Sequence, residues 1–229
     1  MCGIVGLFLK NEALRTRLGS LFAPMLVEMS GRGPDSAGFA VFREDAGGRA
    51  KASVFDPDGA MDWPALIADL RTAIDGAADF QNLATHTLIE AACAPAELRH
   101  ALDRLAPALR IMSTGGSLEI YKEIGAPADV VDRFAVAQMT GSHMIGHTRM
   151  ATESAVTTEG AHPFNTGEDL CLVHNGSLSN HHALRRRLER DSGITFQTEN
   201  DSEVAAGYFA HHLAAGATLG EALEAGLSD

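Results

Sequence analysis

The chain has 229 residues, long enough to bury a hydrophobic core without disulfide or metal staples. Its 18 Lys+Arg against 30 Asp+Glu give a formal charge of −12, which provides no basic footprint for nucleic acid or anionic lipid. A hydrophobic content of 45% suits a globular domain, and no apolar run is long enough to span a membrane.

The N-terminus lacks a basic stretch ahead of its short apolar run, so it does not resemble a secretory signal, and a cytoplasmic location is expected. Residues 3–9 (GIVGLFL) read as a buried strand with Cys2 at its mouth. Leu14, Leu18, Leu21, Phe22, Met25 and Met29 then recur at helical spacing, with Pro24 expected to kink or divide that helix. After the loop Gly31-Arg32-Gly33-Pro34-Asp35-Ser36, residues 38–42 (GFAVF) read as a second strand, followed by turn clusters at Gly47-Gly48 and Asp56-Gly59. Two amphipathic stripes make the middle helical, one through Leu66, Ile67, Leu70 and Ile74 and one through Leu98, Leu102, Leu105 and Leu109; the stretch 85–100 is undecided. Residues 118–124 (LEIYKEI) read as a strand. From Ser142 the texture changes to short strands between polar loops, 143–149 (HMIGHTR) and 170–176 (LCLVHNG), which read as sheet-edge segments carrying side chains into a site. A helix capped by Ser179 or Asn180 and ending near Gly193 comes next, and a last helix runs from the Asn200-Asp201-Ser202-Glu203 segment to about residue 214.

The three cysteines, Cys2, Cys93 and Cys171, are odd in number and lack CxxC spacing, which argues against a disulfide framework and a zinc knuckle. Cys171, in a strand, and Cys93, in a helical stretch, read as core. His143 and His147 share a strand face but stand about 13 Å apart at roughly 3.3 Å per residue, too far for one ion. The adjacent pairs His181-His182 and His211-His212 fall on helices, where neighbours point apart, so no metal site is expected.

Cys2 carries the first chemical signal. A small second residue permits removal of Met1, which would put a thiol and a free α-amine on one residue. The amine titrates near working pH and can take the thiol proton, one known way to activate an N-terminal nucleophile. Taken with Met1-Cys2-Gly3-Ile4-Val5-Gly6, the segments Arg32-Gly33-Pro34-Asp35-Ser36-Ala37-Gly38, Gly146-His147-Thr148-Arg149-Met150-Ala151-Thr152, His174-Asn175-Gly176 and Asn200-Asp201-Ser202-Glu203 occur in an order that resembles the class II glutamine amidotransferases.

That resemblance implies an α+β fold, the four-layer αββα sandwich of two antiparallel sheets found in N-terminal-nucleophile (Ntn) hydrolases. It implies hydrolysis of the glutamine side-chain amide at Cys2, with Asn175 and Gly176 as oxyanion donors, Arg149 on the α-carboxylate and Asp201 on the α-ammonium. It further implies that Thr152 lines the pocket, that Arg32 supports the nucleophile and that His147 is structural. One domain over residues 2–229 is expected. The long interval between Ser36 and His147 implies an insertion of helices and a strand within about 50–135, and the short stretch after Asp201 implies that the family's C-terminal strands are missing, leaving edges and apolar faces uncovered. Residues 118–134 are similar to stand-alone amidotransferase subunits of the glutamate synthase and N-methylglutamate synthase type. The implied partner is then a synthase subunit with flavin and an iron–sulfur cluster, in a hetero-oligomer, and this chain itself carries no cofactor. The alternative is a non-catalytic, glutamine-binding regulatory subunit of the same fold.

Overall fold

The computed structural model describes residues 2–43, 47–150 and 155–229. The first half comprises β1 (Gly3–Phe8), α1 (Leu18–Glu28), β2 (Ser36–Phe42), β3 (Ala50–Phe55), α2 (Trp63–Ala73), β4 (Ala78–Leu83), β5 (His86–Ala91) and α3 (Pro95–Leu105). Then come β6 (Arg110–Gly115), β7 (Leu118–Ile124), α4 (Pro127–Arg133), β8 (His143–Arg149), β9 (Phe164–Gly167), β10 (Leu170–Leu172), α5 (His181–Ser192), α6 (Asp201–Ala214) and α7 (Leu219–Ser228). One antiparallel sheet has the order β1-β8-β2-β7, a second β4-β5-β3-β6, and β9 pairs with β10 in a two-stranded sheet.

Strand alternation puts Val5, Phe39, Val41, Tyr121 and Met144 on one face of the first sheet, where Leu18, Phe22 and Leu26 of α1 and Val130 of α4 meet them. Each such side chain, fully buried, stabilises the fold by about 1.5–3 kcal/mol. Of the two outcomes expected at Pro24, division does not occur: α1 runs through it, and the change of helix type comes earlier, where Glu12–Arg17 is a 3-10 segment. Pro24 and Ser20, four residues before it, are both exposed, so the carbonyl left without a partner faces water.

The second sheet is covered by α2 and α3, with Leu66, Ile67, Leu70, Leu98 and Leu102 packed on Ala52, Val54 and Ile89. Here the sequence reading needs correction, because the interval 50–135 holds five strands, β3 to β7, rather than one. β3 hides behind buried polar side chains: Lys51 is 3.2 Å from Glu119 and 3.8 Å from Glu90, and the Ser53 and Ser113 hydroxyls lie 2.7 Å apart. The β4–β5 hairpin hides behind its turn, where Ala84 takes φ of 55° in place of the usual glycine or asparagine.

The sheets meet at β7. This strand is the free edge of the first sheet, and the Ile120 N–H donates at 3.2 Å to both Ser53 Oγ and Ser113 Oγ, while Ser53 Oγ donates to the Ile120 carbonyl at 2.8 Å. Two hydroxyls from the second sheet therefore do for the edge what a neighbouring strand would do. Glu119 beside them is fully buried, and its carboxylate takes Arg43 at 2.8 Å, Lys51 at 3.2 Å and the Tyr121 hydroxyl at 2.9 Å, which offsets the cost of removing it from water. Helices, sheet, sheet and helices succeed one another as the α+β sandwich expected.

Other boundaries also differ. β8 is an interior strand between β1 and β2, and β10 stops at Leu172, so the His174-Asn175-Gly176 segment is loop. A further helix, α7, follows α6, held by a Thr218–Glu221 capping box. Cys93 lies in the bend after β5 and is half-buried, while burial pushes the half-buried Cys171 thiol up to about 12.

Candidate active site

Strand register brings the sequence motifs to one end of the first sheet. Gly3 of β1 faces Thr148 of β8 and Ser36 of β2 faces Arg149, so the chain enters β1 at Cys2 beside the end of β8 that carries Arg149. A cleft of about 440 Å³ opens there, lined by Cys2, Arg149, Asn175, Gly176 and Asp201. A larger cavity of about 680 Å³ between β6, β9 and α6 contains none of these residues.

Arg149 is only 6% exposed, and its Nη1 donates to the Ala155 carbonyl at 3.2 Å. Behind it runs the Arg32–Ser36 segment: the Asp35 N–H donates to the Arg149 carbonyl at 3.1 Å, and a Cβ on Gly33 would stand 2.6 Å from the Arg149 backbone. Only glycine fits that approach. Arg32 itself is exposed and does not line the cleft. Thr152 and Met1 lie outside the described residues.

The loop 174–178 is tied to three elements. His147 Nε2 donates to the His174 carbonyl at 3.1 Å, Asn175 Nδ2 donates to the Cys2 carbonyl at 3.0 Å, and the Leu178 N–H donates to Asp201 Oδ2 at 2.8 Å. An asparagine amide has two N–H donors, so the bond to Cys2 leaves one for another acceptor. Asp201 opens α6, whose N-cap Asn200 accepts from the Ser202 N–H at 2.9 Å and donates through Nδ2 to the Gly160 carbonyl at 3.1 Å. The Ser202 hydroxyl lies 3.0 Å from His174 Nδ1.

Sequence reasoning missed one contributor to this wall, His162, and gave no role to His174 and Asn200, which it named only within their motifs. His162 stacks on His147 at 4.1 Å between centroids, and both are buried. The only signal for it was a histidine before a proline in a segment without periodicity. His181 and His182 also contradict the expectation for neighbours on a helix, since their rings lie 3.9 Å apart at the cleft. Among the described residues no three His, Cys, Asp or Glu side chains are grouped to hold a metal ion.

Burial pulls His147 down to about 4 and His162 down to about 2, so both are neutral at working pH. Their folded pKa values lie below the unfolded value, so the unfolded chain takes up more protons and stability falls as pH drops from about 6.5. His162→Phe is expected to remove about 2 kcal/mol of the loss between pH 7 and 4.5. Urea unfolding at the two pH values checks this; an equal loss in both proteins would contradict it.

A family model described as a glutamine amidotransferase domain matches residues 131–222. The glutamine amidotransferase-like protein GlxB of Rhizobium meliloti is 53% identical over 230 residues, covering 100% of this chain and 76% of that protein. A glutamine–fructose-6-phosphate aminotransferase (isomerizing) of Acidithiobacillus ferridurans is 38% identical over 104 residues, 45% of this chain and 17% of that one. Among solved structures, the allosteric regulatory enzyme of purine biosynthesis shares the fold, at a TM-score of 0.51 and 19% identity, over 100% of this chain and 33% of that chain. The chain belongs to the glutamine amidotransferase family, enzymes that release the amide nitrogen of glutamine for use by a partner domain or subunit. No helix among the described residues is long and apolar enough to cross a membrane.

Proposed function

We propose that Cys2 hydrolyses the side-chain amide of L-glutamine through a γ-glutamyl thioester, and that the ammonia passes to a separate synthase subunit. The observation that carries this reading is the 3.0 Å hydrogen bond from Asn175 Nδ2 to the Cys2 carbonyl, which fixes an amide donor beside the thiol's own residue. With Met1 removed, the α-amine of Cys2 takes the thiol proton, and the thiolate attacks the amide carbon. The second N–H of Asn175 and the Gly176 N–H receive the oxyanion. Collapse of the tetrahedral intermediate expels ammonia, which carries off the proton held by the α-amine, and water then cleaves the thioester to glutamate. Arg149 holds the α-carboxylate in a bidentate fork, and Asp201, with acceptor capacity beyond Leu178 and Ser202, holds the α-ammonium. Thr152 completes the pocket, and Arg32 supports it from outside the cleft.

The synthase is of the glutamate synthase or N-methylglutamate synthase type, with flavin and an iron–sulfur cluster on its side and no cofactor in this chain, and the reaction is cytoplasmic. The aminotransferase relative, of which this chain covers 17%, supports the division of labour, since most of that protein lies outside the shared region.

Asn175→Ala tests the oxyanion role. Its kcat for ammonia release is expected to fall about 10²–10³-fold with KM changed little. A variant whose melting temperature drops while kcat holds would show that Asn175 only shapes the loop. A wild-type chain that binds glutamine without turnover would instead favour the regulatory subunit.

A further inference from the structure

The segment 159–163, which contributes His162 to the cleft, is held from behind by a residue that no motif singles out. Lys122 of β7 is 4% exposed, and its Nζ donates to the carbonyls of Glu159 at 2.8 Å, Ala161 at 2.8 Å and Pro163 at 3.3 Å. The ammonium has three N–H donors, and all three go to this one short segment. It also sits 4.4 Å from the centroid of the Phe164 ring. Gly38 makes room for the arrangement, since a Cβ there would stand 2.2 Å from the His162 carbonyl oxygen and 2.5 Å from Lys122 Cβ.

The same segment faces the cleft on its other side. The Gly160 carbonyl accepts from Asn200, the N-cap of the helix that begins with Asp201, at 3.1 Å. A Cβ on Gly160 would lie 3.4 Å from Arg149 Nη1, so backbone and guanidinium are in contact range. His162 lines the cleft and stacks on His147. We propose that Lys122 is a positioning residue for glutamine recognition, its ammonium gathering three carbonyls so that residues 159–163 fix Arg149 and the N-terminus of α6 at the spacing the amino acid head group requires. Such a buried ammonium is costly: burial draws its pKa down to about 7, against the opposing pull of Glu203 and Glu159. Apolar side chains would fill the same space at lower cost, so the charge is retained for what it holds.

The inference rests on the proposed glutamine chemistry, and two thiol reagents separate the two. The electrophilic glutamine analogue 6-diazo-5-oxo-L-norleucine must be recognised at its head group before it alkylates Cys2, whereas iodoacetamide need not be. Labelling is followed by intact mass in wild type, Lys122→Met and Lys122→Gln, with thermal melts to establish folding. The expected result is a fall of about tenfold or more in analogue labelling for Lys122→Met, an intermediate fall for Lys122→Gln, which keeps two donors, and iodoacetamide rates within about twofold of wild type. Equal analogue labelling in a folded variant overturns the positioning role, as does an equal loss with both reagents, which marks general disruption around Cys2. If Lys122→Met fails to fold, Lys122→Gln decides on the same criteria. A wild type that takes iodoacetamide but not the analogue overturns the glutamine reading and this inference with it.

Discussion

Replacing Cys2 with alanine is expected to lower glutamine hydrolysis by on the order of 10³-fold or more while glutamine affinity stays within about twofold. The thiol supplies the bond-forming atom, and among the described residues no other thiol lines the cleft: Cys93 lies after β5 and Cys171 in β10. Affinity should survive because the contact that organises the loop is made to the Cys2 backbone carbonyl, which alanine retains. Arg149 and Asp201 are untouched. Ammonia release measures the first effect and titration calorimetry the second. Turnover near the wild-type rate in this variant would sink the nucleophile assignment.

Arg149→Met is expected to act on the other side of the reaction, raising KM for glutamine by about 30-fold or more with a smaller change in kcat. Removing one partner of a buried, hydrogen-bonded charge pair costs about 2–5 kcal/mol, much of it the penalty of leaving the remaining charge unpaired. At 6% exposure Arg149 is in that regime rather than that of a surface ion pair. Methionine keeps an unbranched stem of similar bulk, and the contacts with Gly33 and the Asp35 N–H are made by the Arg149 backbone, so the end of β8 should keep its place. Steady-state kinetics separates the two constants. An unchanged KM would remove Arg149 from substrate binding.

The motifs were legible because the chemistry demands particular side chains at particular points, and they lie where strand register brings chain segments together. Cys2, Arg149, Asn175, Gly176 and Asp201 come from four separate stretches of sequence and line one cleft. Elements whose signal is hydrophobic periodicity were equally plain: α1, α2, β1 and β7 stand where apolar spacing put them, and α3 does so in part, starting at Pro95 inside the undecided stretch and ending at Leu105, short of Leu109. What escaped was structure built against that pattern. β3 buries Lys51 and Ser53 because Glu119 and the edge of β7 meet them, partners that local sequence does not reveal. β4 is exposed on both sides from Asp79 to Asn82 and its turn uses Ala84, so neither alternation nor turn chemistry marked the hairpin. His162 and Lys122 escaped for the same reason. Their roles depend on a backbone segment that approaches from elsewhere in the fold, through the space left by Gly38.

The central claim, that Cys2 is a nucleophile directed at glutamine, is tested most directly by the intact mass of the purified chain before and after incubation with 6-diazo-5-oxo-L-norleucine, with Cys2→Ala alongside. The expected result is a chain lacking Met1 that gains one adduct, blocked by excess glutamine and absent from Cys2→Ala. A mature chain that gains no adduct, or an adduct that persists in Cys2→Ala, would contradict it.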